Sequence, residues 1–60
     1  MFEKRFAGDE DWFVVSEEET KTRLSDYYRN VEEVIQAMKD GATVRTPFAF
    51  YRWTEEVSKA

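Results

Sequence analysis

Apolar residues between Leu24 and Met38 recur at the spacing of one face of an α-helix. Successive members of the set differ in position by three or by one, as expected for one side of a helix with about 3.6 residues per turn. Ser16 and Glu19 form a capping-box pair ahead of the set, and Gly41 follows it at a position typical of a helix end. The pattern predicts a single long helix, over about residues 17–39, with the apolar stripe Leu24, Tyr27, Tyr28, Val31, Val34, Ile35 and Met38.

The first two turns of this helix contain no apolar residue before Leu24, so we expect them to be exposed to solvent. Glu17 and Lys21 have the i,i+4 spacing of an ion pair that stabilises exposed helices. An alternative interpretation treats residues 21–24 as a short strand and begins the helix after Ser25.

The segments before the helix alternate as β-strands do. Phe2 and Phe6 fall on one side of a first short segment. Residues 12–15 are aromatic and β-branched, a composition typical of strands. A polar loop containing Gly8 separates the two segments, so this part of the chain predicts a β-hairpin.

The part after the helix predicts one further strand, over residues 42–53. Pro47 cannot donate a hydrogen bond to a neighbouring strand, and we therefore expect it at an edge or a bulge. Residues 54–60 are polar apart from Val57 and are expected to form a flexible tail.

The order strand, strand, helix, strand indicates one small α+β domain comprising residues 1–60. In this ββαβ unit, the long amphipathic helix covers one face of a three-stranded antiparallel sheet. The strands carry bulky apolar groups on both faces, yet a single helix covers only one face. We expect the helix-facing group to be Phe13, Val15, Val44, Phe48 and Phe50, which leaves Trp12, Tyr51 and Trp53 on the open face.

The composition argues against most catalytic and metal chemistry. The chain has neither cysteine nor histidine, which removes disulfides, the usual zinc ligands and the usual base for a nucleophilic serine. Its glycines, Gly8 and Gly41, do not form a phosphate-binding loop. The acidic run 9–11 lacks the spacing of a calcium-binding loop, and Ser16 is explained as a helix cap. We therefore predict a protein that is not an enzyme and uses no metal or cofactor.

Thirteen acidic residues against nine basic ones give a net charge of −4. This balance argues against direct binding to nucleic acid or to an anionic membrane, since both ligands need a basic face. No apolar run reaches the length of about 18 residues that indicates a membrane span. We expect a soluble protein of the cytoplasm, or of the host cytoplasm if a phage encodes it.

Two groups of residues are candidate partner-binding surfaces. The aromatic patch consists of Trp12, Tyr51 and Trp53, because Trp and Tyr are enriched at binding hot spots. Coverage of these rings within the monomer and self-association are the alternatives. The acidic face consists of carboxylates in the loop before Trp12 or off the apolar stripe, namely Asp9, Asp11, Glu18, Glu19, Asp26 and Glu33.

Spaced carboxylates can take the place of phosphates in the basic groove of a nucleic-acid-binding protein. In size, charge and independence of cofactors, the chain resembles the small inhibitors made by phages and mobile elements, including anti-CRISPR and DNA-mimic proteins. The resemblance implies a host protein as the partner, such as a basic one that binds nucleic acid. The acidic face would steer the encounter, and the aromatic patch would anchor the complex.

Two other functions stay open. Arg45, Tyr51, Arg52 and Trp53 interleave basic and aromatic side chains as single-strand nucleic-acid binders do. The third interpretation is a structural subunit that buries the aromatic patch against a second copy, in a homodimer or larger homo-oligomer.

Overall fold

The computed structural model describes residues 1–55. It contains, in chain order, β1 (Phe2–Phe6), β2 (Phe13–Val15), α1 (Glu17–Leu24), α2 (Val31–Lys39), β3 (Val44–Arg45) and β4 (Ala49–Trp53). The strands form one antiparallel sheet in the order β2-β1-β4-β3. The α+β class with an antiparallel sheet is confirmed. In the described part of the chain there are four strands instead of three, and two helices instead of one.

The first and last strands of the chain form the centre of the sheet. β1 and β4 pair from Phe2 opposite Trp53 to Phe6 opposite Ala49. The Thr54 amide donates to the Met1 carbonyl at 2.8 Å, so the first residue of the predicted tail continues this pairing. Residues 56–60 of that tail lie outside the described residues.

The predicted long helix is interrupted between Leu24 and Val31. α1 ends with Ser25 as its C-cap, and Asn30 is the N-cap of α2. The Asn30 side chain accepts from the Glu33 amide at 3.3 Å and donates to the Glu33 carboxylate at 2.7 Å. The first bond satisfies a backbone amide at the start of α2, and the second holds the two side chains together. A new helix therefore begins here, and the prediction of one continuous helix is wrong.

The size of the sheet explains the interruption. A helix over residues 17–39 would be about 34 Å long, whereas strands of five residues such as β1 and β4 span only about 17 Å. Helices of 8 and 9 residues match that sheet. Tyr27 and Tyr28 consequently lie in the connection and are exposed. A strand over residues 21–24 is also wrong, since these residues belong to α1.

The start of α1 agrees with the sequence prediction. The Ser16 hydroxyl accepts from the Glu19 amide at 3.0 Å, and Lys21 Nζ lies 3.3 Å from Glu17 Oε2. The expectation that these turns are entirely exposed is wrong at Thr20, which is fully buried. The Thr20 hydroxyl donates to the Ser16 carbonyl at 2.9 Å, which satisfies this buried polar group.

The end of α2 is a Schellman motif. Gly41 adopts a φ of +114°, and its amide donates to the Met38 carbonyl at 3.0 Å. The Ala42 amide reaches back to the Ala37 carbonyl at 3.0 Å. A left-handed residue is required at this point, which is why the sequence places glycine there.

The predicted C-terminal strand is a hairpin. Thr46 closes its turn, since the Thr46 hydroxyl accepts from the amides of Phe48 and Ala49 at 3.3 and 3.1 Å. Pro47 lies between β3 and β4, where it interrupts no pairing. Phe48, which the sequence placed against the helix, is 68% exposed in this turn.

The hairpin reverses the predicted faces along this segment. Val44 pairs with Tyr51, and directly opposite residues in an antiparallel pair share a face. Tyr51 therefore faces the helices with Val44, while Phe50 faces the open side. The sequence prediction counted through residues 42–53 as one strand, so it is wrong for both Phe50 and Tyr51.

The core lies between the helices and one face of the sheet. One charged residue, Lys4, also lies on this face. It is two residues from Phe2 and from Phe6 along β1, so all three side chains point to the same side, and it is 8% exposed. Val15, Val31, Val34 and Trp53 pack against the core as partly buried side chains. The buried apolar members of the core are Phe2, Leu24, Ile35, Met38, Val44, Ala49 and Tyr51.

Candidate binding surfaces

Arginine side chains from three strands share the open face of the sheet. β1 and β4 pair so that Arg5 is opposite Phe50 and Glu3 is opposite Arg52. β3 contributes Arg45, which is also opposite Phe50. Because opposite residues lie on one face, the three arginines and Phe50 form one surface on the side away from the helices.

Trp12, in the loop before β2, completes this surface. The Arg52 guanidinium carbon lies 3.9 Å from the centre of the Trp12 ring, and that of Arg5 lies 5.4 Å from it. The Arg5 guanidinium carbon is also 4.6 Å from the centre of the Phe50 ring. We call Phe50, Arg5, Trp12 and Arg52 the arginine–aromatic ladder, since rings and guanidinium groups alternate along it. Cation–π contacts at exposed sites stabilise by about 0.5–1 kcal/mol each.

Two polar contacts orient the arginines of the ladder. Arg52 Nε donates to Glu3 Oε1 at 2.8 Å, and Arg5 Nη1 donates to the Asp9 carbonyl at 2.6 Å. The Glu3 side chain is only 17% exposed, so this ion pair is better shielded than most surface pairs. The guanidinium planes are thereby held in place, and their remaining N–H donors are left for a ligand.

Charge is distributed unevenly between the sheet and the rest of the chain. The four strands carry four basic residues and one acidic residue, a net charge of +3. The loop over residues 7–12 has three acids and no base, and residues 16–41 have seven acids against four bases. The net charge of −4 is therefore the sum of a positive charge on the strands and a larger negative charge on the loops, the helices and the C-terminal residues.

The structure does not bring the predicted aromatic patch together. Tyr51 is 2% exposed, and Trp53 packs partly buried against the core on the same side. Trp12 alone is on the open face. The expectation that these three rings share the open face is wrong, because the register of β4 turns Tyr51 and Trp53 inward. Of the predicted nucleic-acid contacts, Arg45 and Arg52 do lie on the open face.

Sequence reasoning missed two members of the open surface, Arg5 and Phe50. The signal for Phe50 is the Thr46-Pro47 pair, which forms a turn, because a new strand counted after that turn places Phe50 on the face opposite to Val44. The signal for Arg5 is its place on the side of β1 opposite to Phe2 and Phe6.

All six residues of the acidic face are exposed, and they come from four separate parts of the fold. Two lie in the β1–β2 loop, two in α1, one in the connection between the helices and one in α2. Within residues 1–55, no cluster of three or more carboxylates is placed to hold a metal ion. Binding of a partner to the acidic face stays a prediction for Asp9, Asp11, Glu18, Glu19, Asp26 and Glu33.

A cleft of about 370 Å³ lies on the helix side, where β1 ends beside the β3–β4 turn. Its buried lining includes Lys4 and Tyr51, and its exposed lining includes the rings of Phe6, Tyr27 and Phe48. Lys4 Nζ lies 4.4 Å from the centre of the Phe6 ring and 5.6 Å from that of Tyr51. We call this feature the Lys4 cleft.

Comparison with protein-family models, curated proteins and solved structures found no significant match. In residues 1–55, no helix combines the length and the apolar character needed to cross a bilayer. The open face, the acidic face and the Lys4 cleft are the candidate functional surfaces of the described residues.

Proposed function

We propose that this protein is a binding module rather than an enzyme, and that the open face of its sheet binds single-stranded nucleic acid. The observation that carries the proposal is the arginine–aromatic ladder. Proteins that bind single strands without sequence preference combine basic groups along the phosphates with aromatic rings on which bases stack. The ladder and the neighbouring Arg45 supply both kinds of group on one surface.

Each part of the surface has a definable role in such a complex. The guanidinium groups of Arg5, Arg45 and Arg52 present planar arrays of N–H donors that suit phosphate oxygens. Trp12 and Phe50 are half-buried, so part of each ring remains accessible to a base. An unpaired base can stack on a ring or on a guanidinium plane, and it would then add one more layer to the stack of rings and guanidinium groups in the ladder.

The architecture also favours this use of the sheet. RNA-recognition modules stack two or three bases on aromatic residues of a four-stranded sheet. The present protein has a four-stranded sheet with its core and both helices on the other face. This likeness is one of architecture and does not define the ligand.

The net charge of −4 opposes binding to nucleic acid and limits its strength. At physiological salt, charges further apart than about 8 Å are largely screened, so the basic strands act most strongly on phosphates that touch the open face. We expect dissociation constants in the range of about 10⁻⁴ to 10⁻⁶ M that is usual for non-specific complexes. Single strands should be preferred to duplexes, because stacking requires unpaired bases.

Fluorescence anisotropy of a labelled oligothymidylate tests the proposal. Arg45→Gln and Arg5→Gln should each weaken binding about tenfold, since hydrogen bonds to charged groups contribute on the order of 1.5 kcal/mol. Arg29→Gln is the matched control, because it removes the same charge from the exposed connection between the helices. Equal losses in the control and the two open-face variants, or no binding by the wild type, would contradict the proposal.

A second candidate function is a small acidic inhibitor that occludes the nucleic-acid site of a basic host protein. It is favoured by the exposure of every carboxylate of the acidic face. These charges would steer the encounter with a basic groove and raise the association rate. The anchoring role expected of Tyr51 does not carry over, since that ring is enclosed in the core.

Competition binding distinguishes this candidate from the first. An immobilised basic single-strand-binding protein should retain the wild type, and added DNA should displace it. Reversal of Glu18, Glu19 and Glu33 to lysine should abolish retention, whereas Arg45→Gln should not change it. Retention that survives the triple reversal would rule out the acidic-mimic mechanism.

A further inference from the structure

We propose that the Lys4 cleft binds a small aromatic molecule carrying a single carboxylate. This site lies on the helix side of the sheet and is separate from the arginine–aromatic ladder. Its ligand would interact with the Lys4 ammonium through the carboxylate and with the surrounding rings through its aromatic body.

The Lys4 ammonium is the first reason for this assignment. Lys4 is 8% exposed, and within residues 1–55 its Nζ has neither an acidic partner within 4.0 Å nor any hydrogen-bond acceptor. Charged groups in the interior are normally paired, because an isolated buried charge is costly. The rings of Phe6 and Tyr51 offset part of this cost but do not accept the three N–H bonds of an ammonium.

The ammonium can be reached from the cleft. No side-chain nitrogen or oxygen in residues 1–55 is both fully enclosed and unpartnered. The unpartnered Lys4 Nζ therefore retains some accessible surface. Lys4 lines the cleft together with the two rings over which its Nζ lies, so a ligand there would meet the charged end of the side chain.

The remaining lining residues define the body and the charge of the ligand. Phe6 and Phe48 are 41% and 68% exposed, so both rings offer apolar surface to a ligand in the cleft. The volume of about 370 Å³ is near the lower end of small-molecule pockets and suits one ring with a short substituent. Arg23 adds a second cation to the lining, and Asp26 adds an anion that disfavours a doubly charged ligand.

Nuclear magnetic resonance titration of the full chain with phenylacetate tests the site. The amide signals of Lys4, Thr46 and Phe48 should shift. Phenylacetamide, which has the same ring without the charge, should bind at least tenfold more weakly. Equal affinity for the two compounds, or shifts confined to other parts of the chain, would overturn the proposal.

Two variants separate the contributions of charge and ring. Lys4→Met keeps the length and apolar character of the side chain, and it should remove the preference for phenylacetate over phenylacetamide. Phe48→Ala alters an exposed turn residue and should weaken both compounds severalfold without unfolding the protein. Unchanged phenylacetate affinity in either variant would overturn the assignment. Arg45→Gln, on the opposite face, should leave phenylacetate binding as in the wild type.

Discussion

The guanidinium carbon of Arg52 lies 3.9 Å from the centre of the Trp12 ring, which joins the last described strand to the loop before β2. The contact holds a ring from that loop on the open face. Trp53 is the next residue after Arg52 and faces the opposite way, toward the core. The two indoles of the protein therefore report on opposite sides of one sheet.

Removal of the Trp12 ring should weaken binding to single strands, whereas substitution of Trp53 should not. Stacking of a base on an aromatic ring contributes about 1–3 kcal/mol, so Trp12→Ala should weaken oligothymidylate binding at least fivefold. Trp53→Phe, which alters the core side, is the control and should bind as the wild type does. Anisotropy titration measures both, and equal effects would count against stacking on Trp12.

Salt dependence should report the number of arginines that contact phosphates. Single-strand binding loses affinity with a slope of about −0.7 per neutralised phosphate in a plot of log K against log salt concentration. Contacts from Arg5, Arg45 and Arg52 predict a slope of about −2 for the wild type. Arg45→Gln should reduce its magnitude by about 0.7. A flat salt profile would show that phosphates are not contacted.

The interruption between the two helices predicts that substitution of Asn30 by alanine destabilises the protein. Asn30→Ala removes the N-cap of α2 and should lower the free energy of unfolding by about 1 kcal/mol. In an uninterrupted helix the same change would be stabilising, because alanine has the higher helix propensity. Urea unfolding distinguishes the interrupted helix from the uninterrupted one. Ser16→Ala, which removes the N-cap of α1, is a second variant that should destabilise the protein to a similar extent. A gain in stability for Asn30→Ala would favour the single long helix.

The unpartnered charge of Lys4, a residue that is 8% exposed, predicts a stabilising substitution. Lys4→Met replaces an unpartnered charge on the core side with an apolar chain of similar length. The relief of desolvation exceeds the lost cation–π contacts, and the free energy of unfolding should rise on the order of 1 kcal/mol. Chemical denaturation measures the change, and Lys39→Met at an exposed helical position is the control. Destabilisation by Lys4→Met would indicate that the charge has a partner.

Local signals in the sequence were sufficient for several parts of the fold. The capping pair at Ser16 and the glycine stop at Gly41 correspond to observed helix ends, and the strand predicted over residues 12–15 corresponds to β2, which begins one residue later. Each depends on a few neighbouring residues. The α+β class follows from their order along the chain.

The errors arose where two local patterns competed. Asn30 and Glu33 have the spacing of a cap and its partner, yet the apolar periodicity continues across them and concealed the helix break. The alternation from Val44 to Trp53 likewise continues across Pro47 and concealed a hairpin. Only the dimensions of the sheet and the pairing of strands decide these cases, and both are tertiary properties. The position of the ladder depends on that pairing, so the sequence alone did not identify Arg5 and Phe50.

The most direct test of the proposed function is the behaviour of the two indole N–H signals during titration of the isotope-labelled protein with oligothymidylate. Binding to the open face predicts that the Trp12 signal moves progressively while the Trp53 signal stays in place. Movement of the Trp53 signal alone, or no movement of either at protein and ligand concentrations above about 10⁻⁴ M, would contradict it.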